Sequence, residues 1–145
     1  MFFLKALEDG RHGYDVKATG RAEALLNYAP FEHGFFWWGG YGTSTEETAY
    51  WNLLNGIEPP LSGSIEQNGK ITAEQIGGQI FSDCWGLLCP GDPARAAHFA
   101  KMMSSVSHDG NGIYGGQFVA AAIASAFTSE NVEQIIESAL SVISS

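Results

Sequence analysis

Residues 113–127, Ile-Tyr-Gly-Gly-Gln-Phe-Val-Ala-Ala-Ala-Ile-Ala-Ser-Ala-Phe, carry only Gln117 and Ser125 as polar side chains beyond Tyr114. Alanine favours the helix here, and the run falls short of the roughly 20 apolar residues a bilayer span requires. A helix apolar on every side needs neighbours on every side. The segment therefore predicts the buried centre of a helical bundle, and the rest of the chain reads as what could surround it.

Residues 18–28 place Ala18, Ala22, Leu25 and Leu26 at helical spacing before Pro30. Residues 31–41 form a loop dense in aromatics, which either plugs a core or walls a pocket. Ser44-Thr45-Glu46-Glu47 has the form of a capping box, with Tyr50, Leu53, Leu54 and Ile57 following at i, i+3, i+4 and i+7. Pro59-Pro60 forces an extended exit, and residues 61–69 read as loop. Thr72-Ala73-Glu74-Gln75 is a second capping box, predicting one helix that carries Ile76, Ile80, Cys84, Leu87 and Leu88 on a single face and ends before Pro90. Gly77 and Gly78 inside it each cost about 1 kcal/mol in helix propensity, so a neighbouring helix or a ligand must approach that backbone closely.

Asp92 and Pro93 suit the cap and first turn of the next helix, with Ala96, Phe99, Ala100 and Met103 inward and Arg95, His98 and Lys101 outward. After Ser129 comes a last helix with Val132, Ile135, Ile136, Ala139 and Ile143 on one stripe. No alternating apolar and polar run appears, so the fold class is all-α, a compact multi-helix bundle. The amphipathic helices are too few to surround the apolar one, which predicts a single but incomplete domain over residues 1–145, or an oligomer that covers exposed apolar faces.

Charge narrows the function classes. The chain has seven Lys and Arg, sixteen Asp and Glu, and a formal net charge of −9, so no basic patch is available to neutralise a nucleic-acid polymer. The apolar opening, residues 1–7, is too short for a signal peptide or a membrane span. Cys84 and Cys89, five positions apart on one predicted helix, are too distant for a disulfide. Free thiols and a cytoplasmic setting follow as expectations.

The polar side chains that could face a ligand gather just before the apolar helix. Residues 104–118 place His108, Asp109, Asn111 and Tyr114 on a glycine-rich hinge. Ser107-His108-Asp109 does not make a relay, because adjacent side chains diverge. Asp109 reads as the N-cap of the following helix, and His108 either donates to a phosphate or ribose oxygen or bonds a backbone carbonyl. The four His are dispersed and no Asp-Asp pair exists, so the residues themselves suggest no metal site. Thr45-Glu46-Glu47-Thr48 is the nearest approach to one and reads as helix capping.

Several segments together resemble one bacterial branch of the ADP-ribosylglycohydrolase family. They are Gly-Tyr-Gly-Thr-Ser-Thr-Glu-Glu-Thr-Ala-Tyr over 40–50, Ser-Gly-Ser-Ile over 62–65, Glu-Gln-Ile-Gly-Gly-Gln-Ile-Phe over 74–81, and Asp83 with Trp85-Gly86. Pro-Gly-Asp-Pro over 90–93, Val-Ser-His-Asp-Gly over 106–110 and Tyr114-Gly115 complete the set. The resemblance implies an all-α hydrolase that cleaves the glycosidic bond joining ADP-ribose to a protein or small-molecule acceptor. It also implies two magnesium ions that polarise ribose oxygens and position water.

The family's Thr-Asp-Asp-Thr and Asp-x-Asp motifs, which hold those ions, normally lie upstream and downstream of this stretch. The resemblance therefore makes the chain a central portion, inactive alone, without metal ligands. It assigns the pyrophosphate to Gly77 and Gly78 with Gln79 beside them, and places His108, Asp109, Asn111 and Tyr114 along the same wall. Asp83 matches a branch-specific position. The alternative is a non-catalytic helical module that binds ADP-ribose or serves assembly.

Overall fold

The structure is a computed structural model and describes Ala22, Glu23, Leu26 and residues 39–143. The opening residues 1–7, most of the expected helix over 18–28 and most of the aromatic loop over 31–41 lie outside the described residues. The described elements run α1 (Thr45–Leu54), a 3₁₀ turn (Leu61–Gly63), α2 (Ile65–Asn68), α3 (Lys70–Ala73), α4 (Gly77–Ile80), α5 (Asp83–Leu88), α6 (Pro93–Ser104), α7 (Asn111–Ala126) and α8 (Val132–Ser141). No strand occurs among the described residues, and the fold is all-α. No helix among them is long and apolar enough to cross a membrane.

The apolar segment is the hub: α4, α5, α6 and α8 all pack on α7. It is not buried on every side, however. Its interior stripe is Gly112, Ile113, Gly116, Gln117, Ala120, Ala121, Ala124 and Ser125, whereas Tyr114 is exposed. Most of that stripe is small, so neighbouring backbones come close. Ala96 and Ala100 of α6 meet Ala120 and Ala124 in the main core, with Phe99, Met103 and Trp85 filling the space around them. The Trp85 and Phe99 rings meet edge to face at 6.1 Å, an arrangement aromatic pairs favour. A second cluster, Ala97, Ala121 and Ala139, joins α6, α7 and α8.

Caps explain where several helices begin. The Ser44 hydroxyl accepts the N–H of Glu47 at 3.2 Å, as the capping box requires. Glu47 does not reciprocate at Ser44, and its carboxylate instead takes the N–H of Gly40 at 3.0 Å. Asp92 accepts the N–H of Arg95, and Pro93 occupies the first turn of α6.

The stretch from 70 to 89 departs from the single helix expected. It folds as three short helices, α3 to α5, and Thr72 caps nothing. The apolar positions 76, 80, 87 and 88 face outward; Ile80 is 67% exposed. From residue 74 onward the buried residues are Gly78, Ser82, Trp85, Gly86 and Cys89. The cause is steric: a Cβ on Gly78 would run into the carbonyl of Gly112, and one on Gly86 would lie 2.7 Å from the carbonyl of Ala120. Small side chains win the place against α7 because only they allow its backbone this near.

Other local expectations also give way. Residues 61–69, expected as loop, form the 3₁₀ turn and α2. The last helix begins at Val132, after Ser129 as expected, with Asn131 as its N-cap accepting the N–H of Gln134. Val132 and Ile136 on its apolar stripe are exposed. Cys84 and Cys89, by contrast, are free thiols as expected.

Candidate functional site

Residues 105–110 turn the chain from α6 into α7, and three neighbours hold that turn. The carbonyl of Ser104 accepts the N–H groups of Ser107 and His108 at 3.0 and 2.8 Å. From the 3₁₀ turn, the Ser62 hydroxyl donates to the carbonyl of Val106 at 2.7 Å, and Gly63 lies directly against the backbone of Ser107 and His108. From α3, the carbonyl of Ala73 accepts the N–H of Asp109 at 3.0 Å. Ser62 is itself tied to α1 and α2, because the amide nitrogens of Asn52 and Asn68 both donate to its carbonyl at 2.8 Å.

His108 is the centre of this arrangement and is 1% exposed. Its Nδ1 lies 2.8 Å from the Ser107 hydroxyl, and Phe81 meets its ring at 5.4 Å, nearly perpendicular. Adjacent Ser107 and His108 thus do touch, contrary to the divergence expected of neighbours. The relay is still absent, since the Asp109 carboxylate turns away. One Asp109 oxygen takes the N–H of Ile65 at 3.0 Å, the first residue of α2, and the other takes the N–H of Gly110 at 2.7 Å. Asp109 therefore secures α2 and does not cap α7. That role falls to Glu74, whose carboxylate accepts the N–H of Asn111 at 3.0 Å.

Gly77 and Gly78 serve different ends. Gly78 is explained by packing against α7. A Cβ on Gly77 would stand 2.7 Å from Oε1 of Glu46 and 2.8 Å from Nε2 of His108, so glycine here leaves room for two polar side chains to converge. Gly77 and Glu46 line a cavity of about 210 Å³ with Thr43, Gln75, Ile80 and Phe81 among its walls. A second cavity, of about 280 Å³, has His108, Asp109 and Ile113 on one side and Pro60, Leu61 and Ser64 on the other. His108 lines the second and touches the wall of the first. Both fall below the roughly 300–1,000 Å³ of pockets that take a whole small ligand, so each has room for part of one.

The remaining sequence candidates spread outward from His108. Gln79 is exposed and lays its side chain over Gly115 of α7. Asn111 and Tyr114 lie exposed on the first turn of α7, and Asp83 is exposed at the start of α5. Asp83 lines neither of the two cavities. Glu46 is the residue that sequence reasoning missed as a site member, because its position in a capping box gave it another explanation.

Among the described residues no three His, Cys, Asp or Glu side chains cluster as a metal-binding group. Glu46 and Glu47, adjacent on α1, diverge toward Gly77 and Gly40. These residues do not present the convergent carboxylates that hold a pair of magnesium ions.

Burial raises both cysteine thiols. Cys84 on α5 is pushed up to about 11, chiefly by loss of water around it, and Cys89 is raised for the same reason.

No curated protein and no solved structure matches the chain. The family model for ADP-ribosylglycohydrolase matches residues 1–145, and the chain belongs to that family.

Proposed function

We propose that His108 and the Gly77 turn form one wall of a pocket for ADP-ribose, in a protein whose family hydrolyses the bond between ADP-ribose and an acceptor. The observation that carries this reading is the setting of His108: a buried imidazole, held by Ser107 and Phe81, whose Nε2 reaches the place that a side chain at Gly77 would occupy. A core histidine needs no cavity beside it; this one lines one cavity and borders another. The ligand class is an ADP-ribosylated protein or a small ADP-ribose conjugate.

The described residues bind and orient in this reading. The carboxylates that magnesium-assisted hydrolysis needs are not among them. Titration calorimetry with ADP-ribose tests the pocket. The wild-type chain is expected to bind, and His108→Ala to bind at least about tenfold more weakly, the loss expected for one buried polar contact. Equal binding by both would remove His108 from the pocket.

A second reading is a module that binds ADP-ribose without cleaving its conjugates, since among the described residues no carboxylates converge. Release of ADP-ribose from an ADP-ribosylated arginine ester by the purified chain with magnesium favours hydrolysis, and binding without release favours the module.

A further inference from the structure

We propose that Glu46 is a ribose-binding residue, its carboxylate accepting hydrogen bonds from the vicinal hydroxyls of a sugar seated against Gly77. The inference rests on the nucleotide reading above and deepens it.

The Glu46 side chain is divided between two tasks. Oε2 takes the hydroxyl of Thr45 at 2.8 Å, with the Ser44 hydroxyl at a long 3.5 Å, and this fixes the carboxylate on the first turn of α1. Oε1 turns to Gly77 and approaches the place of its missing Cβ to 2.7 Å, while Nε2 of His108 approaches the same place to 2.8 Å. The result is a polar notch beside glycine, in which Glu46 and Gly77 line the cavity of about 210 Å³ and the buried imidazole of His108 backs them from behind.

The chemistry of that notch selects its occupant. A carboxylate accepts and never donates, so it repels phosphate and suits paired hydroxyl donors. A ribose cis-diol is such a pair, and an acidic side chain that holds a ribose hydroxyl is a recurrent solution in dinucleotide recognition. Hydrogen bonds to a charged acceptor are about twice as strong as neutral ones, which makes one fixed oxygen worth having. The volume agrees, since it is below that of whole-ligand pockets and suits one sugar ring. The pyrophosphate that the family resemblance assigns to Gly77 would on this account lie further along, away from Glu46.

The test is calorimetry with ADP-ribose, ADP and ribose 5-phosphate on the wild-type chain and Glu46→Gln. Glutamine keeps the shape and removes the charge. Glu46→Gln is expected to bind ADP-ribose about tenfold or more weakly, the order of loss for a charge-assisted bond. If ribose 5-phosphate weakens and ADP does not, the terminal ribose occupies the notch; if ADP weakens as well, the adenosine ribose does. Either supports the assignment. Unchanged binding of all three ligands would overturn it while leaving the nucleotide reading intact, and no binding by the wild-type chain would overturn that reading and this one together. Should Glu46→Gln not fold by circular dichroism, Gly77→Ala reads the same notch by filling it, and unchanged ADP-ribose affinity there would overturn the proposal.

Discussion

The carboxylate of Glu74 closes the N-terminus of α7 by accepting the N–H of Asn111 at 3.0 Å, across 37 positions of sequence. The first turn of a helix has N–H groups with no partner inside it, and a negative side chain there also meets the favourable end of the helix dipole. Glu74→Ala is therefore expected to lower stability by about 1 kcal/mol, the usual cost of a lost cap. Glu74→Gln keeps an acceptor and should cost less. Urea unfolding of the two variants measures the order, and an alanine variant as stable as wild type would contradict the capping role.

Gly78 lies against the carbonyl of Gly112, so α4 and α7 meet backbone to backbone. Alanine at 78 would gain about 1 kcal/mol in helix propensity but would overpack this contact, at a cost of about 1–3 kcal/mol or more. The collision is with main chain, which cannot rotate aside, so the cost wins. Gly78→Ala is expected to lower the melting temperature, and a rise would show that the close approach is wrong.

Ser62 links α1 to the hinge that carries His108. Ser62→Ala leaves the buried carbonyl of Val106 without its hydroxyl partner, a loss of about 1–3 kcal/mol. Because that carbonyl lies two residues before His108, ADP-ribose affinity should fall along with stability. Lost stability with unchanged affinity would mean that the hinge is held well enough by Ala73 and Ser104 alone.

Cys84, with its thiol raised from 9.0 to about 11, sets a prediction in pH. The fold favours the protonated thiol, so its contribution is fully present below pH 9 and is lost as pH climbs toward 11. Cys84→Ala should flatten that part of the stability profile. The same shift leaves about a hundredfold less thiolate at pH 8 than in the unfolded chain. Greater intrinsic nucleophilicity recovers about tenfold of this, so alkylation should be about tenfold slower than in denaturant. Equal rates with and without denaturant would contradict the burial.

The sequence made the framework readable where one local signal had no competitor. Asp92-Pro93 could only begin a helix, and the Ala-rich run of α7 could only be central. It misled between residues 70 and 89, where Ile76, Ile80, Leu87 and Leu88 recur at helical spacing and still face outward. Hydrophobic periodicity assumes that the partner surface wants large side chains; α7 presents glycine and alanine and takes Gly78, Ser82 and Gly86 instead. The small residues at 78, 82 and 86, four apart, were the available signal.

The same limit applies to the site. His108 stood out on its glycine hinge, whereas Glu46 was hidden by a capping motif that was also real: Ser44 does cap α1, through Glu47. Only the fold brings Glu46 to Gly77. Asp109 went the other way, since its obvious local role passed to Glu74 once α2 lay within reach.

The central claim is that His108 faces the nucleotide, and its ring resonances report on this most directly. On titration with ADP-ribose, the imidazole signals of His108 are expected to shift, while those of His98, exposed on the outer face of α6, stay in place. A His108 signal that does not move when ADP-ribose binds would contradict the account.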